Sequence, residues 1–414
     1  MKNTLWQSTM LYEICGITTI NQTTMKIIIL LTLLFFFSAC KSGKKDLSES
    51  LDIIPVECAN ATEDASSFLE KIEIVPLETT DSSLLFHPRK VIYNKEMDMY
   101  AFFQRGSLVY TFSGDGKYIG NSEKVRGKGP GEYYMALDVQ FNPYLRGIDL
   151  LNPYGKIYTY TPTFELVSER KYDQEFPVTN FMPLDSVNYL FSYPAMRTNQ
   201  EVSFENIATG QKINTTYKGT ISSDNYMSDD CFYKHDGIYN FVPFGLNYYL
   251  YQIDKESKKL LPVAYLDFGE KEIKEDNLPG CAAGIRTKED SESAIISQKI
   301  TERSNYLKKS SEVLPLIRLF NEDFVYVFMV EKTMPGYTYI FNRNKKEGFL
   351  LKDGTPMDIY FCFDVVDNVL LSLCPTDELS GFVDRKFMSQ KEIDKMENLK
   401  EDDNPVIIKY YLKR

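Results

Sequence analysis

Cys40 closes a short apolar run, residues 27–37, through Ser38 and Ala39, with Lys26 ahead of the run. A charged start, a brief apolar stretch and small residues before the cut describe a secretory signal, and the run is too short to span a bilayer comfortably. The cysteine adds chemistry to it: cleavage before Cys40, then lipid on its thiol and on the new amino terminus. Several acyl chains anchor stably, because each buried CH₂ adds about 0.8 kcal/mol and two chains suffice. Phe37 stands where such signals usually carry leucine, and an ordinary cleaved signal with a coincidental cysteine, or a short membrane anchor, is the plainer alternative. Met25 opens a signal by itself, so the start at Met1 or at Met25 is left open.

The second run with chemical potential is Arg126-Gly127-Lys128-Gly129-Pro130-Gly131-Glu132-Tyr133. Three glycines and a proline in five residues permit positive φ and a sharp turn. The favoured reading is therefore structural, with Glu132 capping amides and Tyr133 packing on a neighbour. The alternative joins backbone amides to Arg126 and Lys128 as an anion-binding concavity, which makes Arg126, Lys128, Glu132 and Tyr133 the candidate ligand-binding residues. A P-loop is excluded by the order of residues.

Elsewhere the chain offers little catalysis. His87 and His235 are its only histidines, neither has metal-ligand spacing to another His or Cys, and both read as solvated turn residues. No nucleophile elbow or paired-histidine zinc helix occurs. Carboxylates such as Asp98, Glu132, Asp138 and Asp364 abound, but spacing alone pairs none of them for glycoside hydrolysis. The expectation is no catalytic residue, no metal and no cofactor. A net charge of −11, without a Lys/Arg-dense stripe to offset it, argues against nucleic acid.

These residues must be carried by a globular body, since 43% hydrophobic and 14% aromatic residues suffice for a core. Residues 1–39 are assigned to upstream sequence and signal, 40–50 to a lipidated flexible tether and 51–414 to the folded part. Five cysteines remain beyond Cys40: Cys58, Cys231, Cys281, Cys362 and Cys374. An odd number cannot all pair. Across a two-residue turn at Asp367-Asn368, residue 362 faces 373, which puts Cys374 on the other face of the sheet and favours buried, reduced thiols.

Short β-favouring segments recur in units of roughly 40 to 50 residues, the length of a four-stranded propeller blade. One unit holds strands at 91–93, 98–103, 108–112 and 117–121, and the next at 137–141, 147–151, 157–161 and 166–172. Thinner copies span 180–217, 232–268, 314–351 and 359–412. Six units make a ring, and pairing the early strand 72–77 with the final strand 406–411 would close it and remove open edges. Two short helical insertions interrupt the strands. Ile296, Ile300 and Leu307 mark one face within the insertion 271–312, which is expected beside a mouth of the ring, and Ser389 to Glu392 forms a capping box for the other.

The run Phe112-Ser113-Gly114-Asp115-Gly116-Lys117 leading into Gly127 to Tyr133 resembles the six-bladed β-propeller lipoproteins, relatives of NHL-repeat and TolB-like propellers. The resemblance covers residue 72 to the C-terminus and implies an all-β, six-bladed propeller of four-stranded antiparallel blades in the cell envelope, facing the periplasm or on the cell surface. The expected function is binding or scaffolding of a peptide, protein or glycan by a membrane-anchored monomer. A carbohydrate-active lyase or hydrolase with its site at the propeller mouth is the alternative. If the anchor is real, Cys40→Ala moves the protein from the membrane to the soluble fraction, and wild-type chain left unlabelled by a fatty-acid analogue would refute it.

Overall fold

The computed structural model describes residues 51–57, 62, 64–172, 178–193, 200–219, 230–244, 247–274, 277–279, 301–302, 305–331, 336–352, 357–359 and 361–414. Its strands form six sheets, five of them four-stranded and one extended by a fifth strand. Blade 1 runs from β3 (Pro88–Asn94) through β4 (Met99–Gln104) and β5 (Val109–Ser113) to β6 (Tyr118–Asn121). Blade 2 holds β7 (Asp138–Asn142), β8 (Gly147–Asn152), β9 (Lys156–Tyr160) and β10 (Leu166–Lys171). Blade 3 holds β11 (Asn180–Pro183), β12 (Asn188–Tyr193), β13 (Gln200–Asn206) and β14 (Gln211–Gly219). Blade 4 follows with β15 (Phe232–His235), β16 (Ile238–Phe241), β17 (Tyr249–Asp254) and β18 (Lys259–Asp267). Blade 5 comprises β19 (Val313–Phe320), β20 (Phe324–Glu331), β21 (Gly336–Asn342) and β22 (Glu347–Leu351). Blade 6 takes β23 (Cys362–Val366), β24 (Val369–Cys374) and β25 (Val406–Leu412) from the end of the chain, and β2 (Leu69–Pro76) from its beginning. The six-bladed, all-β ring expected from the repeats is the fold.

Blade packing explains why the strands read as continuous apolar runs rather than as alternating ones. Strand β4 is buried along its whole length. Met99, Ala101 and Phe103 pack into the seam with blade 2, while Tyr100 and Phe102 pack into the seam with blade 6. The period of two thus divides one strand between two cores. Each of the six seams holds its own buried cluster, so the core is distributed around the ring.

Closure uses the strands expected to meet. Ile74 pairs with Ile408 and Pro76 with Val406, antiparallel, with β2 on the outer edge of blade 6. Helix α1 (Gln390–Glu397) covers that edge. Only half of the capping box forms: the Ser389 hydroxyl accepts the Glu392 N–H, but the buried Glu392 carboxylate accepts the Ile74 N–H of β2 at 2.8 Å instead of returning to residue 389. An otherwise unpaired edge amide is thereby satisfied.

Ahead of β2, the chain crosses two further blades as a belt. Strand β1 (Asp52–Pro55) pairs parallel with β18 as a fifth strand of blade 4. Asp52 also meets Arg343 at 3.3 Å and Lys346 at 2.7 Å on blade 5, and Tyr339 donates its hydroxyl hydrogen bond to the Pro55 carbonyl at 2.6 Å. The Thr62 N–H then reaches the Leu350 carbonyl of β22 at 2.7 Å.

Two details depart from the sequence expectation. A bulge between Cys362 and Asp364 shifts the register, so Cys362 faces Ser372 rather than residue 373. Cys231, Cys362 and Cys374 are buried free thiols; Cys58 and Cys281 lie outside the described residues. In the insertion, Leu307 is buried against the seam of blades 5 and 6, whereas Ile296 and Ile300 lie outside the described residues.

If closure carries the ring, Ile407→Ala opens the seam between blades 6 and 1, and Ile408→Ala the seam between blades 5 and 6. Both side chains are fully buried, so each truncation is expected to cost about 2–5 kcal/mol in urea unfolding.

Candidate functional site

The innermost strands of the six blades line a central channel, and charged residues in otherwise apolar strands meet there. Lys90 of β3 places its ammonium 2.7 Å from Asp138 Oδ1 of β7 and 2.7 Å from Asp230 Oδ2, just ahead of β15. Side-chain exposures of 3%, 2% and 10% put the cluster out of water. The other Asp138 oxygen accepts the Phe181 N–H of β11 at 3.1 Å, and Gln140 Nε2 donates to Asp230 at 3.3 Å. One ammonium and two carboxylates therefore join blades 1 to 4.

Across the channel, His235 Nε2 of β15 lies 3.3 Å from Asp364 Oδ1 of β23, a pair that is charged only when the imidazole is protonated. The expectation of a solvated histidine fails here, because its side chain is 8% exposed. The two-residue turn Asp236-Gly237, with φ of +46° and +83°, ends the strand so that residue 235 is its last inward-facing position. His87, with φ of +45°, is exposed at the opposite end of the channel.

Burial sets the electrostatics. It works against the Lys90 ammonium, but the two carboxylates outweigh it and hold the pKa above its ordinary value. Burial also pushes Asp138 up to about 6, against the pull of Lys90, and raises Asp364 against the pull of His235. Such clusters are strongly coupled, and removing one partner leaves an uncompensated buried charge.

Two cavities lie beside this cluster and share Val91, Asp230, Tyr233 and Phe363 in their linings. The smaller, about 80 Å³, opens where the inner strands end, beside Lys95, Asp236 and His235. The larger, about 490 Å³, opens where they begin and falls within the usual size range of ligand pockets. Leu85, Val91, Ile317, Leu319, Phe361 and Phe363 supply its apolar walls, and Lys90 with Asp230 its floor. At its lip stand Phe86, 66% exposed, with His87 and Arg89 on one side and Asp377, Glu401 and Asp403 on the other.

The glycine-rich run lies outside both cavities. It connects blade 1 to blade 2 and folds on itself. Glu132 Oε2 accepts the Gly129 N–H at 2.8 Å, and the buried Tyr133 donates its hydroxyl to the Ser107 carbonyl at 2.6 Å. The carboxylate of Glu132 thus occupies the amide that an anion would need. Gly131 has φ of +72°, so the turn demands glycine, while a Cβ there would meet only the movable end of Leu166 at 2.8 Å. Arg126 is exposed, and Lys128 sits 5.0 Å over the ring of Tyr134. Cys40 lies outside the described residues. The described residues of the insertion line neither cavity.

Residues 51–411 match the family model described as a domain of unknown function, DUF4934. The chain belongs to the DUF4934 family. A crystal structure of a Bacteroides fragilis NCTC 9343 protein described as exported is similar over 88% of this chain and 100% of its own, at 15% identity and a TM-score of 0.66. That likeness shows the fold. More distant similarity reaches the RRP9 WD40 repeats, at 10% identity, TM-score 0.39 and coverage of 86% and 100%, and the β-propeller domain of Cps50 (Swd1) from Myceliophteria thermophila, at 9%, 0.37, 72% and 96%. No curated protein matches the chain.

Sequence inspection named Asp138, Asp364 and His235 without joining them, and passed over Lys90 and Asp230. The available signal was a charged residue at or near the start of a short strand in several blades: Lys90 in β3, Asp138 in β7, Asp230 just ahead of β15 and Asp364 in β23. Lys90→Met should cost about 3–5 kcal/mol in urea unfolding, because two buried carboxylates lose their counter-charge. The pH dependence has a definite sign. The folded pKa of Asp138, about 6, exceeds its ordinary 3.8, so its contribution to stability is full below about pH 4 and is lost as pH rises through 6. The urea midpoint of wild type relative to Asp138→Asn should therefore fall between pH 4 and 7.

Proposed function

We propose that this DUF4934 protein is an exported, lipid-anchored propeller that binds a peptide, protein or glycan in the wide channel mouth without transforming it. The observation that carries the reading is the larger cavity itself, about 490 Å³, with apolar residues along its walls and the Lys90–Asp230 ion pair in its lining. Lys90 and Asp230 in that lining are committed to each other and to their neighbours, so they keep the shape of the pocket rather than attack a ligand. Arg126 and Lys128 are exposed on the connection between blades 1 and 2, where they are available to a large ligand as outlying contacts. Anchoring at Cys40 through the polar segment 41–50 would hold the mouth at the envelope surface.

Among the carboxyls raised by burial, Asp138 is the one with a value of about 6, which suits a general acid and favours the hydrolytic alternative. It lines neither cavity, however, and its oxygens serve Lys90 and the Phe181 amide. Binding is the better-supported function.

The test compares wild type with Thr376→Trp, a lip substitution in a half-buried loop position, against a peptide library and a glycan array. Ligands retained by wild type should be lost by a variant whose thermal melting is unchanged. Equal binding by the two proteins, or no binding by wild type, overturns the proposal.

A further inference from the structure

We infer that the ligand of the larger cavity is a peptide segment in which an apolar side chain is flanked by lysine or arginine. This inference rests on the binding role proposed for that mouth and narrows its ligand class. Two independent properties of the cavity lead to it.

The first is the chemistry of the walls. Leu85, Val91, Ile317, Leu319, Phe361 and Phe363 present no hydrogen-bonding side-chain groups, and the hydroxyls of Tyr233 and Thr376 in the same lining already donate to the Asp230 and Glu401 carbonyls. A sugar ring buried against them would lose water from its hydroxyls without replacement, which disfavours it. A leucine or phenylalanine side chain loses nothing of the kind and gains from its buried area. The exposed Phe86 at the lip extends the same apolar surface outward.

The second is the charge of the lip. Asp377 and Glu401 are exposed carboxylates, and neither belongs to an ion pair among the described residues. Asp403 beside them accepts the Lys400 N–H through one carboxylate oxygen at 2.8 Å. Arg89, on the far side, is held by the Leu137 carbonyl at 3.2 Å and lies 5.0 Å over the Phe103 ring, so it is turned toward blade 2. The closing blade therefore gives the lip a negative arc next to the apolar slot. A chain with net charge −11 would add long-range attraction for a basic segment. Apolar anchor and basic flank are thus selected by adjacent parts of one surface, as in interfaces where a buried anchor gives affinity and rim charges give specificity and rate.

The experiment measures fluorescence anisotropy with three labelled peptides on the intact protein: Lys-Lys-Leu-Phe-Lys-Lys, the same centre flanked by glutamates, and Lys-Lys-Ser-Ser-Lys-Lys. The first is expected to bind at least about tenfold tighter than either of the others. The double variant Asp377→Asn/Glu401→Gln, whose changes are isosteric and exposed, should bring it to within about threefold of the glutamate-flanked peptide. Raising salt should erode the same preference in wild type. Equal binding of the glutamate-flanked peptide, or of the serine-centred one, overturns the inference. Binding of maltohexaose or cellohexaose, blocked by Thr376→Trp and without peptide binding, overturns the peptide assignment and leaves the role of the mouth standing. Wild type that binds none of the probes overturns the inference as well, and the wider library then decides the parent proposal separately.

Discussion

A single ammonium group in the channel constrains the rest of the ring. Lys90 cannot be placed in an apolar channel without compensation, and its two carboxylate partners come from different blades. Blades 1, 2 and 4 must therefore come together before the charge is satisfied. Hydrophobic seams between blades tolerate small slips, because apolar contact is not directional. The ion cluster does not, and it locks blades 1 to 4 against one another. Lys90 and Asp230 also line the larger cavity, so an element that fixes the fold shapes the pocket as well.

Blades 1 and 2 were legible in the sequence because their strands are separated by strong turn residues, as at Gly114-Asp115-Gly116 and Tyr154-Gly155. Closure was legible too, because two β-branched runs stood without partners at opposite ends of the chain. The channel cluster was not. Its members are separated by 48 residues between Lys90 and Asp138 and by 90 between Gln140 and Asp230, and no local pattern couples positions that meet only when the ring closes. The bulge beside Cys362 was equally hidden, since one extra residue in a strand leaves composition and hydrophobic spacing almost unchanged.

The glycine-rich connection shows how a motif can be conspicuous without being a ligand site. Gly131 answers to its positive φ, Gly127 and Gly129 make room for the Glu132 side chain, and that carboxylate takes up the Gly129 amide. Glu392 behaves in the same way. The sequence places it in a capping box, but the nearby edge of β2 offers a more deeply buried N–H, and tertiary structure takes the carboxylate from the helix. In both cases a polar side chain goes to the donor that would be hardest to leave unsatisfied.

The belt formed by β1, Thr62 and β2 has a mechanical meaning. A pull applied at residue 51 reaches blade 4 along the axis of a parallel strand, so the hydrogen bonds between β1 and β18 are loaded together in shear instead of being unzipped singly. The Asp52 pairs and the Thr62 contacts pass part of that load to blade 5 before it arrives at β2, whose loss would open the ring. A propeller tethered at its N-terminal end would thus carry tension on its outer circumference, away from the channel, and the pocket geometry would be insulated from drag on whatever it holds.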